Sequence, residues 1–440
     1  MSNQPQQRQV ELPPVAFTAG GENDELRDQN LKNAQSIPGY ADATLMVADA
    51  ISKRVDNVLL DYTAQGCTMK YQIDGMWHDL PPRDRQSGDA MLASLKCLAN
   101  LDPNERRAKQ QGTFKVQFQK VKGPCTLTSQ GVQTGERVML EVAGDRPPLT
   151  TLEEIGMREK MIERFKELVE EDGGIMIIAG MPKGGLTTLW CAALNATDRF
   201  IRDYVGVQRA DFEDPEVLNI QPNVYDESAG ETAAGVLKKL ILREPDAFVV
   251  PEIKDAETAG ILCEQATSMG RTVITRIHAK SADEALLRML MVKPPIEQFM
   301  QAVRAVVNVR MIRRLCDNCK QAYQPAPQML QKLGIPVGRV PAFYRPWQPP
   351  PQPPVDDKGN PIPQPVCPQC QGPGYRGRTG IFELLVVDDR MRQVLTQQPK
   401  LDVLRRVVKE SGHHSLQDEG ILSVCQGSTS LAEIQRVMKQ

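Results

Sequence analysis

No stretch of this chain approaches the ~20 continuous apolar residues that a bilayer-spanning helix needs. The opening MSNQPQQRQVELPP has neither the basic cluster nor the apolar run of an export signal. These absences point to a soluble intracellular protein whose contact with membrane, if any, is peripheral. Net charge is missing too: 53 Lys and Arg against 55 Asp and Glu leave −2, too balanced for a nucleic-acid magnet. No internal repeat of solenoid length is present. Ten cysteines in 440 residues are few for a disulfide scaffold, yet four of them form two CxxC pairs, which in a reducing compartment points to metal.

A chain of this length is too long for one compact core, so about two or three domains are expected. Residues 1–40 are rich in Gln, Pro, Asn and Gly with few large apolar groups, and read as a flexible arm. Residues 41–146 mix helical spacing (Leu45 to Ile51, Asp89 to Leu101) with alternating strand-like runs (Thr68 to Ile73, Arg137 to Val142), the pattern of a small α/β domain. Over 147–310 a helical segment carrying Met161, Phe165 and Leu168 leads into the apolar run Ile175 to Ala179. Buried-looking strands (Ala247 to Val250, Thr272 to Ile277) then alternate with amphipathic helices (Ala233 to Leu242, Ala256 to Ser268). That alternation predicts an α/β layer on a largely parallel sheet. Residues 311–381 hold the paired cysteines and a proline-rich excursion that includes Trp347–Pro354, and 382–440 read as a small helical subdomain.

Three motifs carry chemistry. Cys316, Cys319, Cys367 and Cys370 can place four thiolates tetrahedrally around Zn²⁺, a closed and therefore structural site that pins the base of a loop with no core of its own. The other six cysteines, scattered singly, read as small buried hydrophobes. Next, Gly180, Lys183, Gly184, Gly185, Thr187 and Thr188 follow an apolar strand in a variant of GxxxxGK[ST], whose backbone N–H groups cradle phosphates. The lysine position of that motif is Leu186, while Lys183 lies three residues earlier and is able to fold back over an anion. Finally, Glu213-Asp214-Pro215, Glu252 with Asp255, and Arg276-Ile277-His278 stand at the ends of predicted strands, where Mg²⁺ and an attacking water would sit.

Taken in order, these residues resemble the secretion ATPase superfamily, specifically the type II secretion and type IV pilus assembly motors. The landmarks are the loop Gly180–Thr188, the acidic box Glu213–Glu216, Pro251–Asp255 followed by Glu257-Thr258-Ala259, Ile277-His278, the four cysteines, and Gly374–Leu385. Upstream, Gln72–Gly75, Leu95–Asp102 and Glu105-Arg106-Arg107 resemble the second N-terminal domain of that family. The resemblance implies a RecA-like P-loop NTPase core after a small PAS-like α/β domain. It further implies a homo-hexamer, or a mixed hexamer with an intact ATPase, that is cytoplasmic, peripheral to the inner membrane and docked on a platform protein there, with no nucleic acid partner. By the same resemblance Glu252 is the general base, Glu213 positions water or Mg²⁺, Thr187 ligates Mg²⁺ and His278 senses the γ-phosphate of ATP.

Against that pattern, Leu186 replaces the loop lysine, Pro251 a glycine and Lys254 an arginine. Arg271, Arg276 and Ala279 alter the histidine box, and Thr126 and Glu141 stand where the family has arginines. The acids survive better than the phosphate-binding cations, and each lost charge-stabilising group costs on the order of 10²-fold in rate. Two readings follow. The chain is a motor with impaired catalysis whose phosphates are held by Lys183, backbone N–H groups and recruited arginines such as Arg276 or a neighbouring subunit's Arg106 and Arg107. Alternatively it is a pseudo-ATPase that keeps the fold and the metal module without hydrolysis.

Overall fold

The computed structural model of the chain describes residues 15–142, 144, 149–211, 214–348 and 366–439. It divides into two compact units, Met1–Pro147 and Pro148–Gln440. Among the described residues no helix is long and apolar enough to cross a membrane.

The first unit is a seven-stranded antiparallel sheet whose strands run Ala16–Thr18, Gln110–Phe118, Val121–Val132, Gly135–Glu141, Asn57–Tyr62, Cys67–Ile73 and Met76–Arg83 across it. Helices Asp24–Ser36, Tyr40–Ser52 and Arg85–Leu98 bury their apolar stripes with this sheet in one core that includes Val47, Leu60, Leu95 and Phe114. The expectation of a flexible arm over residues 1–40 is wrong from residue 15 onward. Phe17 adds an edge strand opposite Val116, and a helix capped by Asn23 buries Ala34. Inside the unit, Lys96 and Glu136 form a fully buried ion pair at 2.5 Å, and Lys96 also donates to the Glu105 carbonyl, tying down the loop that carries Arg106 and Arg107. Thr126 and Glu141 face each other across neighbouring strands of this sheet.

The second unit has its own seven-stranded sheet, ordered Ile220–Tyr225, Tyr204–Arg209, Ala247–Val250, Thr272–His278, Gly174–Gly180, Val303–Leu315 and Tyr375–Val386. All neighbours are parallel except the last pair. Gly174–Gly180 is buried along its whole length, as a strand covered on both faces must be. Ile175, Ile177 and Ala179 enter a core shared with helices Ala233–Ile241, Ala256–Ser268 and Ala282–Met291. Met176 and Ile178 point the other way, into a core with Phe165, Leu189 and Trp190 of helices Glu159–Glu170 and Leu186–Asn195. Two helical layers on a parallel sheet make the RecA-like core expected from the sequence.

The predicted breaks at 310/311 and 381/382 fall inside strands, because Val303–Leu315 and Tyr375–Val386 pair along their length as one antiparallel ribbon of the central sheet. The cysteine module is therefore an extension of that ribbon. Within residues 311–381, helix Pro327–Lys332 and strand Phe343–Arg345 form between the cysteine pairs, whereas most of the proline-rich excursion lies outside the described residues. The C-terminal region is helical as expected, with Asp389–Gln397, Leu401–Glu410, Leu416–Cys425 and Leu431–Met438.

Candidate functional site

The carboxyl ends of the parallel strands converge on a cleft of about 240 Å³, lined among others by Leu186, Thr187, Arg209, Glu252, Arg276 and His278. Thr187 comes from the loop after Gly174–Gly180, Glu252 from the segment after Ala247–Val250, and His278 from the last position of its strand. Three sequence-predicted residues thus meet at the edge where ligands of open α/β sheets bind.

Within the loop the Gly184 N–H donates to the Met181 carbonyl at 2.8 Å, and the helix that follows begins without a side-chain cap. Gly185 begins that helix, Leu186–Asn195, at φ +94°. A Cβ at Gly185 would lie 2.9 Å from the Met311 sulfur, so close packing as well as backbone angle demands glycine. Lys183, also left-handed at φ +58°, is exposed beside it, and Thr187 and Thr188 are exposed on the first turn. Leu186 is buried in the apolar cluster with Val309 and Leu189. The position where the motif has lysine has become part of the hydrophobic core.

Two guanidinium groups line the cleft, and they differ in environment. Arg276 is buried and pairs with Asp214 at 2.8 Å while lying 5.2 Å from the Trp190 ring. That engagement argues against Arg276 as a recruited phosphate ligand, since withdrawing it would leave Asp214 charged and buried. Arg209, at the tip of strand Tyr204–Arg209, approaches Glu252 at 3.5 Å and Glu227 at 3.8 Å and contacts Asp211. Lys254 reaches the same two glutamates, Glu252 at 3.5 Å and Glu227 at 3.1 Å. Nothing in the motifs drew attention to Arg209. The signal lies in strand register, because Gly206 is level with Val249, which carries Arg209 level with Glu252.

His278 Nδ1 lies 3.3 Å from the Gly180 carbonyl and can only donate to it. To donate to a phosphate as well, the ring must carry both protons. Glu213 lies outside the described residues. Arg271 stands before the first residue of the strand that ends in His278, buried and bonded to Gln265 at 2.6 Å, so that change is remote from the cleft.

The four predicted thiols come together, all sulfurs within 4.8 Å of one another. Cys316 and Cys367 are 3.8 Å apart and Cys319 and Cys370 3.6 Å. Zn²⁺ with ~2.3 Å bonds in a tetrahedron separates its sulfurs by about 3.8 Å, so the donor set fits. Burial opposes ionisation of Cys367, but the N–H of Cys370 and the Asn318 amide, 3.2 Å from its sulfur, hold the thiol down at about 6. Burial pushes Cys316 and Cys319 up, protons that a metal would displace. The module is anchored to the core: the Cys316 N–H donates to Gly374, Leu315 to Ser428, and Thr429 to the Arg313 carbonyl. Beside it Glu433, fully buried, accepts from Arg313 and Arg436 at 2.6 Å each.

A parallel sheet with a glycine loop opening a helix and an acid after the strand one place removed from the loop's own strand define a P-loop NTPase core. The model of the family described as Type II/IV secretion system protein matches residues 32–436, and the chain belongs to that family. It is 27% identical over 400 residues to Type II secretion system protein E of Pseudomonas aeruginosa, covering 90% of this chain and 74% of the relative. Type IV pilus assembly ATPase PilB of the same organism is 24% identical over 426 residues, 96% of this chain and 71% of its own. Among solved structures, the Legionella pneumophila ATPase DotB superposes with a TM-score of 0.53 at 13% identity, covering 90% of this chain and 94% of DotB, a likeness of fold.

Proposed function

We propose that this chain is a motor-type subunit of a type II secretion or type IV pilus assembly system that binds Mg²⁺–ATP in the cleft and turns it over slowly. The observation that carries the reading is the convergence of Thr187, Glu252 and His278 on one cleft beside an uncapped helix that follows a glycine loop. Thr187 and Glu213 serve Mg²⁺, Glu252 takes the proton of the attacking water, and the backbone of Gly180, Lys183, Gly185 and Thr188 carries the phosphates. The four cysteines hold structural Zn²⁺. The subunit works in the cytoplasm against an inner-membrane platform protein, in a homo-hexamer or in a mixed hexamer with an intact ATPase, and has no nucleic acid partner.

A second reading, a pseudo-ATPase that keeps the ring-forming fold, is favoured by one feature: Leu186 is buried, so the lost lysine is absorbed into packing. Phosphate release measured on the metal-loaded chain separates the two. Slow turnover that Glu252→Gln abolishes while nucleotide still binds supports the motor. Binding with no release above the rate of that variant makes the chain a pseudo-ATPase.

A further inference from the structure

Leu186 removes the loop's positive charge, and the cleft must balance several phosphate charges some other way. Arg276 is committed to Asp214 in a buried pair. Lys183 is exposed on the loop, where water screens its charge. Arg209 lines the cleft, on the strand next to the one that leads to Glu252. Its tightest contact is to Asp211, two residues on and exposed, while those to Glu252 and Glu227, at 3.5 and 3.8 Å, are long for charge-assisted hydrogen bonds and partly open to water. Guanidinium presents a planar fork suited to bidentate contact with phosphate oxygens, a geometry a lysine ammonium lacks.

The local charge makes this contact more than a substitute. Arg209 and Lys254 together face Asp211, Glu227 and Glu252, so two cations are shared among three carboxylates. A polyphosphate concentrates more negative charge than any one of those carboxylates and competes for the nearer cation. When Arg209 moves to the phosphate, Glu252 loses one of its two cationic partners.

We infer that Arg209 is the phosphate-binding cation of this cleft, standing in for the lysine missing at Leu186, and that bound nucleotide withdraws it from Glu252. This rests on the reading that the cleft takes Mg²⁺–nucleotide. The test is calorimetric titration of Mg²⁺–ATP into the full, metal-loaded chain and its variants. Arg209→Gln is expected to weaken binding by about ten- to a hundredfold, the loss of a charged hydrogen bond, and Arg209→Lys to fall between it and wild type. Lys183→Gln keeps the loop backbone and removes only an exposed charge, so it is expected to lose less affinity than Arg209→Gln. Glu252→Gln, which removes a competitor for Arg209, is expected to tighten binding severalfold. Arg209→Gln binding as wild type does, or Lys183→Gln losing more than Arg209→Gln, overturns the assignment and leaves the proposed function standing. Unchanged affinity in Glu252→Gln overturns the withdrawal while Arg209 remains the ligand. Wild type that binds no nucleotide at millimolar concentration removes the assignment and the function together. Thermal melting of Arg209→Gln, a strand-end change in partly solvated ion pairs, checks that loss of binding is not loss of fold.

Discussion

The cleft and the cysteine module stand on the same sheet and solve opposite problems. In the module, donors from two chain segments are fixed by the ribbon Val303–Leu315 and Tyr375–Val386, and local bonds to Gly374 and Ser428 leave the four sulfurs little room. In the cleft, besides the buried pair Arg276–Asp214, partly exposed cations and acids pair with one another, Arg209 and Lys254 with Glu227 and Glu252. One region gathers four thiols that fit a metal ion. The other holds its charges in contacts weak enough to exchange.

The largest effect is expected at the module, from removing the metal proposed for it. A structural Zn²⁺ contributes on the order of 10 kcal/mol to its site. Chelation or Cys316→Ser is therefore expected to open the segments around 316–319 and 367–370 to protease while the parallel sheet stays protected in hydrogen exchange. Equal protection with and without metal would mean that the anchors alone suffice.

A smaller effect tests those anchors. Burial alone would raise the Glu433 carboxyl, but Arg436 and Arg313 hold it down at about 2, from an ordinary value of 4.5. Its contribution is thus complete above about pH 4.5 and is lost as pH falls toward 2. Arg313→Gln leaves the buried carboxylate with a single cation and is expected to cost about 3 kcal/mol at neutral pH in denaturant melts. The loss should narrow as acid protonates Glu433. A cost independent of pH would assign the effect to the lost packing of Arg313 on Tyr375 instead.

Smaller still are the changes expected in the cleft. Thr187→Ala should weaken nucleotide binding by about tenfold in Mg²⁺ and hardly at all without it, since the hydroxyl acts through the metal. Leu186→Lys should tighten binding if its ammonium reaches the cleft that Leu186 lines, at some cost in stability from the apolar cluster it leaves. Equal Thr187→Ala effects with and without Mg²⁺ would remove that residue from the metal's shell.

The two regions also differed in how far they could be read in advance. Paired cysteines announce themselves by spacing, because a CxxC turn brings its two sulfurs to one side whatever surrounds it. Glu252 is legible because the fully apolar run Ala247–Val250 fixes where its strand stops. Arg209 is not, since its meaning depends on which strand lies beside Tyr204–Arg209 and in what register. Helix Asp24–Ser36 escaped for another reason: it is polar almost all round and buries only Ala34 fully, so composition read it as an arm. The ribbon that joins core to module was cut at Arg310 and Phe382 because apolar runs say nothing about which distant strand pairs with them.

The central claim is that this cleft, without its lysine, still binds nucleotide. Calorimetric titration of Mg²⁺–ATP into the wild-type, metal-loaded chain at moderate salt tests it most directly. Saturable binding in the micromolar range, about −8 kcal/mol, is the result expected. No heat of binding at millimolar nucleotide would contradict it.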